Sequence, residues 1–200
     1  MKELDLLKKD WQKNDAFEQV SEKDIYTMLH KKSSSVVKWI LIVSILEFVV
    51  LNGIGLLFPD DHLPPYLSKM EYYLDILQII SYGVTFFFIY LFYRNYRSIS
   101  STSSSKNLME TILKTRKTVQ YYIGYNLAYI VLMFSAGFIS AILEDPIVSQ
   151  KIATHKIIYL VLFLFVLIVA GIVWLFYRLI YGFLLKKLKR NYEELKKIDL

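Results

Sequence analysis

The chain has 200 residues, 55% of them apolar, and a mean hydropathy of +0.37. Soluble domains of this length are rarely so apolar, so the composition indicates a membrane protein. The sequence contains no cysteine, which excludes disulfides, thiolate metal sites and cysteine nucleophiles. Its net charge of +6 would suit nucleic acid, but the basic residues cluster beside the ends of apolar runs. That pattern is typical of flanks that face anionic lipid headgroups. We therefore expect membrane lipid, and not nucleic acid, as a partner.

The first 35 residues are polar and carry both signs of charge, without the apolar stretch of a secretory signal. The first apolar run must then act as an uncleaved anchor. Leu7 and Trp11 lie on one helical stripe, and Ser21 is placed to cap a second helix that ends at the serines 33–35. These helices either lie on the membrane surface or dock a cytoplasmic protein. For docking, the anchor side chains would be Leu7, Trp11, Ile25, Met28 and Leu29.

Four apolar runs cover residues 36–58, 72–93, 120–143 and 156–181. At ~1.5 Å per residue, each is long enough to cross the ~30 Å hydrocarbon core. The sequence therefore predicts an all-α polytopic membrane protein with four transmembrane helices. Serines dominate residues 98–105 and predict a flexible linker before a basic amphipathic helix over 107–119. The predicted divisions are the N-terminal segment 1–35, a two-helix unit 36–97, the linker and helix 98–119, a second unit 120–184 and a charged tail 185–200.

The tetrapeptide Leu-Phe-Tyr-Arg occurs at residues 91–94 and again at 175–178, an offset of 84 residues. The same offset relates Gly53 to Gly137, so we expect a tandem repeat of a two-helix unit. Small side chains let helix backbones approach closely. Gly53, Gly137 and Ala141 therefore predict close packing of the first and third spans.

Orientation follows from the basic residues, because 21 of the 24 lie on one side of the four predicted spans. The positive-inside rule then places both termini in the cytoplasm. Arg94 and Arg178 close the second and fourth runs on that side. We expect them to act as interface anchors whose charged heads reach the headgroups, with a lipid-phosphate pair as the alternative.

Glu47 lies at the centre of the first span, where an ionised carboxylate costs at least ~2.5 kcal/mol on insertion scales. It must be protonated or paired inside the bundle. At similar depth the candidate partners are Tyr82, Thr85 and Tyr129, whereas Asn52 lies on the same helix about 140° away around its axis. The functional interpretation is a proton or cation relay, and the structural one is a hydrogen bond that fixes helix packing.

No catalytic constellation is evident. The predicted topology separates His30 from His62 and His155, so the three cannot share a metal ion, although an outer cation site at the last two is conceivable. The chain has no Gly-rich phosphate loop, zincin pair or nucleophile elbow. We therefore expect no enzyme activity, no cofactor and no metal.

The segments Lys8-Lys9-Asp10-Trp11-Gln12 and Met28-Leu29-His30-Lys31-Lys32-Ser33-Ser34-Ser35 resemble a family of small, uncharacterised four-span membrane proteins of Bacteroidetes, chiefly flavobacteria. The resemblance implies the bacterial inner membrane. Because relatives often neighbour genes for extracytoplasmic-function sigma factors, it also implies a membrane-anchored partner of such a factor. Some relatives carry a carotene-oxygenase label, but that chemistry needs four histidines on iron and this chain has three.

The leading functional hypothesis is therefore a non-enzymatic inner-membrane regulator or scaffold that binds a cytoplasmic protein, with a sigma factor as one candidate. The alternative is a small transporter, channel or lipid-handling bundle that uses Glu47. A third hypothesis is that the basic flanks bind only anionic lipid. Four spans enclose too little space for a roomy pore, which favours a homodimer.

Overall fold

The computed structural model describes residues 21–57, 68–102, 104–144, 146–155 and 157–198. Every regular element in these ranges is a helix: α1 Glu22–Leu57, α2 Ser68–Ser101, α3 Ser105–Glu144, α4 Pro146–Thr154 and α5 Ile157–Ile198. All but α4 are long and apolar enough to cross a membrane. The prediction of an all-α protein with four membrane spans is confirmed. Leu7, Trp11 and His62 lie outside the described residues.

The four long helices form an antiparallel bundle in which each helix packs beside its neighbours in the chain. Helix α1 contacts α2, α2 contacts α3 and α3 contacts α5, while α5 closes the bundle by packing against α1. Helices α1 and α3 lie diagonally and touch only slightly. The short helix α4 begins at Pro146, a residue that suits the first helical position because it has no N–H to leave unpaired.

The helices are much longer than the membrane is thick. They have 36, 34, 40 and 42 residues, or roughly 50–65 Å at the usual rise, against ~30 Å of hydrocarbon. The bundle therefore extends beyond the membrane at one end, formed by residues 22–36, 94–101, 105–119 and 182–198. We call this the basic end, because it carries most of the lysines and arginines, and we call the opposite end the far end.

Both predicted serine breaks are wrong. Helix α1 runs straight through residues 33–35, and only residues 102–104 separate α2 from α3. The physical reason is that these hydroxyls find partners. Ser33 accepts a hydrogen bond from Asn191 on α5 at 3.1 Å, and the hydroxyls of Ser34 and Ser100 lie 3.1 Å apart. A serine whose hydroxyl is satisfied no longer competes with the helical backbone.

The predicted amphipathic helix over 107–119 and the charged tail are likewise not separate elements. The first is the opening of α3 and the second is the close of α5. The predicted cap at Ser21 is confirmed, since its Oγ accepts a hydrogen bond from the backbone N–H of Lys23 at 3.1 Å.

The apolar core lies in the basic end and just inside the membrane. Its fully buried members include Leu29, Ile40, Phe92, Leu108 and Leu195. Along α1, every buried apolar residue among those described precedes Glu47. Water surrounds the basic end, so burial of apolar surface stabilises this half of the bundle.

Polar side chains are buried in the membrane half as well as in the basic end, where the buried polar residues are Ser33, Asn95, Thr111, Thr115 and Asn191. In the membrane half, the buried side chains include Ser44, Ser81, Thr85 and Ser140, whereas apolar side chains such as Leu46 point outward. Lipid is as apolar as a protein core, so nothing drives apolar side chains inward at this depth, and polar groups gain by facing one another.

The predicted close packing of the first and third spans is wrong. A Cβ placed on Gly53 or Gly137 would meet no atom within 4 Å, so neither glycine marks a close approach. Ala141 instead lines an apolar cavity of about 280 Å³ beside α4 and α5. The diagonal placement of α1 and α3 explains the difference.

The 84-residue register is not reflected in burial. Phe92 is fully buried and Tyr93 is 47% exposed, while their counterparts Phe176 and Tyr177 are 56% and 4% exposed. The buried residue is the second of the first tetrapeptide and the third of the second tetrapeptide, so the two copies do not occupy equivalent positions in the bundle. The internal repeat stays a prediction.

Candidate functional site

The candidate site is built around Glu47, a half-buried carboxylate in the membrane-spanning part of α1. It faces α5, where Tyr177 and Tyr181 lie one helical turn apart and so project toward the same carboxylate. Tyr177 donates its hydroxyl hydrogen to Oε1. Tyr181 donates to Oε2 at 3.0 Å. Both carboxylate oxygens are therefore satisfied inside the bundle, as an intramembrane acid requires.

A third tyrosine completes the cluster. Tyr122 on α3 is almost fully buried, with its ring centroid 6.4 Å from that of Tyr177 and 6.0 Å from that of Tyr181. Phe88 and Phe92 on α2 pack edge-on against Tyr122, at 5.5 and 5.6 Å between centroids. These edge-to-face contacts fix the rings that surround Glu47. We call Glu47, Tyr122, Tyr177 and Tyr181 the acid–tyrosine cluster.

The predicted hydrogen-bond partners of Glu47 are wrong. Tyr129 donates instead to Oε1 of Gln78 at 2.7 Å. Asn52, which was not among the predicted partners, donates to the backbone carbonyl of Phe48 at 2.6 Å. Tyr82 packs its ring edge-on against Phe48, with 5.8 Å between centroids. Equal depth did not decide the pairing, because both hydrogen bonds to the carboxylate of Glu47 come from α5.

The same residues nevertheless meet Glu47 in one cavity of about 180 Å³. Ten of its thirteen lining residues have polar side chains: Glu47, Asn52, Gln78, Ser81, Tyr82, Thr85, Tyr122, Asn126, Tyr129 and Tyr177. The cavity is large enough for several water molecules or one small ligand. Sequence reasoning thus found residues of the cavity without finding their hydrogen bonds.

One buried donor in the cavity wall lacks a partner. Nδ2 of Asn126 is inaccessible and forms no hydrogen bond within the described residues. A buried amide that is not hydrogen-bonded costs roughly 1–3 kcal/mol, so such groups normally bind water or a ligand. Because this nitrogen is inaccessible, it faces the packed side chains of the wall and not the open volume of the cavity.

The cavity ends toward the basic end. On that side Ile40, Phe92, Val119 and Tyr181 fill the bundle interior and are fully buried. Toward the far end the interior is lined by Ser81 and other small polar side chains. Packed side chains therefore close the site on the side of the basic end.

The sequence analysis did not identify Tyr122, Tyr177 or Tyr181 as partners of Glu47. The available signal was the pair of tyrosines at i and i+4 on the fourth span, which places two phenols on one face. Nothing in the sequence indicated that this face of the fourth span packs against Glu47.

Other predicted site residues lie elsewhere. Leu29 is only 2% exposed and belongs to the core, Ile25 packs against that core, and Met28 is 50% exposed. As a docking side chain, Leu29 is therefore unavailable, whereas Ile25 is partly exposed. Arg94 and Arg178 are exposed near the basic end, and Cζ of Arg178 lies 5.0 Å from the ring centroid of Trp174.

Within the described ranges, no three His, Cys, Asp or Glu side chains come together in a way that would hold a metal ion. Nε2 of His30 lies 2.7 Å from the carbonyl oxygen of Ile99, and His155 is exposed at the far end. The chemistry of the site accordingly rests on one carboxylate, several phenols and several amides.

Fold and site together define a polytopic α-helical membrane protein whose bundle encloses a carboxylate in a polar cavity. The chain belongs to a family described as a domain of unknown function, DUF8845, whose model matches residues 23–200. The match covers every one of the four long helices almost completely. No curated protein and no solved structure matches the chain.

Proposed function

We propose that this protein is a small membrane transporter or channel in which Glu47 binds a proton or a small cation. The observation that carries the proposal is the polar cavity of about 180 Å³ around Glu47 in the membrane-spanning part of the bundle. An ionisable side chain that lines a cavity at membrane depth is the usual mark of an ion or substrate pathway.

The charges of the cavity favour a positive guest. Glu47 is the one acid among the lining residues, and none of them is basic. Four tyrosines and Phe48 also belong to the lining, and aromatic rings can contribute to the binding of a cation. A carboxylate that has bound a proton has a lower affinity for a cation, so the proton and the cation compete. That competition would couple the movement of one to the other.

The packed side of the site gives the proposal a mechanism. Tyr181 and the buried rings beside it separate Glu47 from the basic end. Release of the bound proton or cation toward the basic end requires α5 to move relative to α1. That movement would break the hydrogen bonds from Tyr177 and Tyr181 to Glu47. Binding of a proton or cation at Glu47 weakens the same hydrogen bonds, and so favours that movement.

The test uses purified protein in liposomes that contain a pH-sensitive dye. Gradients of Na⁺, K⁺ or tetramethylammonium are imposed one at a time, and proton movement is recorded. We expect at least one gradient to drive protons through the native protein and none to do so through Glu47→Gln. Glutamine keeps one oxygen that accepts from one tyrosine, and its amide nitrogen can donate to the hydroxyl oxygen of the other, so we expect that variant to keep the fold.

Glu110→Gln is the matched control, because Glu110 is an exposed carboxylate at the basic end whose side chain is 59% exposed. It should conduct like the native protein. Equal proton movement in native protein and Glu47→Gln, or none in the native protein with all three cations, would refute the proposal.

A second function is favoured by the extension of the bundle. Four continuous helices carry the basic end well beyond the membrane and present a rigid surface there. We propose that this end lies in the cytoplasm, that the membrane is the bacterial inner membrane, and that the surface binds a cytoplasmic protein. The resemblance to proteins encoded beside sigma factors makes such a factor the first partner to look for.

A pull-down in mild detergent tests this second proposal. The deletion must stop at residue 20, because residues from Ile25 onward belong to the core. A specific cytoplasmic protein that is captured by the native chain and lost with residues 1–20 or with Met28→Ala would support it. Unchanged capture by both variants would refute a docking role for these residues. The homodimer stays a prediction.

A further inference from the structure

The basic end contains a second cavity, which lies between α1 and α5 and has a volume of about 410 Å³. Four cationic side chains line it: Lys31, Lys32, Lys187 and Arg190. No acidic residue belongs to the lining. We call this cavity the basic groove.

The floor of the groove is fixed by helix packing. Asn191 is almost fully buried, and its Nδ2 donates to Oγ of Ser33 across the α1–α5 contact at 3.1 Å. Val36 is buried beside it. The four cationic side chains are exposed, and they extend from two helices around a floor that packing fixes.

The positive charge of the groove is largely unneutralised. Of its four cations, only Arg190 forms an ion pair within the described residues, with 3.7 Å between its Nε and Oε1 of Glu194. Lys187 places its Nζ 4.4 Å from the ring centroid of Phe183. Four cations that line one groove without an acidic residue in the lining attract an anion, so the groove favours an anionic ligand.

The position of the groove favours a lipid over a soluble anion. Lys32, Ser35 and Trp39 lie on one stripe of α1, and Trp39 is exposed where the apolar run begins. On α5, Phe183 is exposed one turn from Lys187. The groove thus opens directly onto apolar surface, where acyl chains can lie while the headgroup phosphate meets the cations.

We propose that the basic groove binds the headgroup of an anionic phospholipid. Basic pockets between transmembrane helices at the membrane surface are suited to such headgroups. The site is distinct from the acid–tyrosine cluster and does not depend on the transport proposal.

The experiment measures lipid bound to the purified protein by native mass spectrometry, with phosphatidylglycerol and phosphatidylcholine as probes in the same detergent. We expect phosphatidylglycerol to bind at least tenfold more tightly than phosphatidylcholine. The variant Lys31→Gln/Lys32→Gln/Lys187→Gln/Arg190→Gln should lose that preference.

The matched control removes four charges from the α2–α3 side of the same end: Arg97→Gln/Lys106→Gln/Lys114→Gln/Lys117→Gln. These side chains are all exposed and lie outside the groove. The control should keep the preference of the native protein. If both variants lose it equally, diffuse attraction to the basic end explains the binding and the groove is not a site.

Inorganic phosphate distinguishes the two sources of the anion. We expect 10-fold molar excess of phosphate over lipid to leave phosphatidylglycerol bound. The lipid assignment would be overturned if phosphate bound to the lipid-free protein and displaced phosphatidylglycerol. Both effects would also have to disappear when the four groove residues are replaced. Because four substitutions can disturb folding, the helicity of each variant is checked, and the pair Lys31→Gln/Lys32→Gln should show a smaller loss in the same direction.

Discussion

Glu47 is the one acidic side chain that lines the intramembrane cavity, and its hydroxyl partners decide its position. Hydrogen bonds to a charged group contribute about 1.5–3 kcal/mol each, more than bonds between neutral groups. Two such bonds from one face of α5 lock both oxygens of the carboxylate. The cluster therefore joins α1 to α5 at the depth where the apolar core ends.

Removal of one hydroxyl tests this account. Tyr181→Phe should lower the free energy of unfolding by about 1–3 kcal/mol, because one oxygen of a buried acid loses its donor. SDS-induced unfolding of the detergent-solubilised protein, followed by helicity, gives the measurement. Tyr121→Phe is the control, since Tyr121 is exposed, and it should have no effect.

The same substitution in a Glu47→Gln background shows whether the two groups act together. We expect the cost of Tyr181→Phe to fall in that background, since the bond is then between neutral groups. An unchanged cost would mean that Tyr181 stabilises the bundle through its ring contacts and not through Glu47.

The first turns of α1 carry a stripe of residues that would suit either a helix on the membrane surface or a helix packed in the bundle. Leu29, Ser33, Val36, Ile40 and Ser44 are all buried and follow one another at spacings of three or four residues. The stripe therefore continues without a break from outside the membrane into it. An isolated amphipathic segment would place such a stripe on lipid, but here three other helices cover it.

Substitutions of Leu29 and Met28 distinguish a helix packed in the bundle from a helix that lies on the membrane surface. Leu29→Ala should destabilise the protein by about 2–5 kcal/mol, because it leaves a void in a packed core. Met28→Ala should change the stability by less than about 0.5 kcal/mol, because its side chain faces outward. The measurement is again SDS-induced unfolding. Similar small costs for both would place the opening of α1 on the membrane surface instead.

At the scale of the whole molecule, the bundle has two kinds of interior. Among the described residues, the fully buried apolar side chains lie between the depth of Glu47 and the basic end, together with several buried polar ones. The polar cavity begins at Glu47, in the part of the bundle that lipid surrounds, where apolar side chains gain little by facing inward. The consequence is a stable extension joined to a membrane region that has room for a guest.

The absence of cysteine offers a direct test of orientation. Lys106→Cys marks the basic end and Ser149→Cys marks the far end, and both side chains are exposed. In intact bacterial cells, a membrane-impermeant maleimide should label position 149 and spare position 106. Labelling of 106 alone would reverse the proposed topology.

The sequence by itself determined the number of spans, the side on which basic residues gather and the presence of an intramembrane acid. These features follow from local composition, because a run of about 20 apolar residues must cross the bilayer wherever its neighbours lie. The cap at Ser21 was equally local, since it depends only on the backbone of the next turn.

Only the tertiary structure decided which residues meet. It placed Tyr177 and Tyr181 on Glu47, gave Ser33 and Ser34 partners that keep α1 continuous, and set α1 diagonal to α3. Each of these outcomes depends on the rotation of one helix about its axis relative to another. In lipid, an apolar side chain gains little by facing in or out, so composition does not fix that rotation and the few polar contacts between helices do.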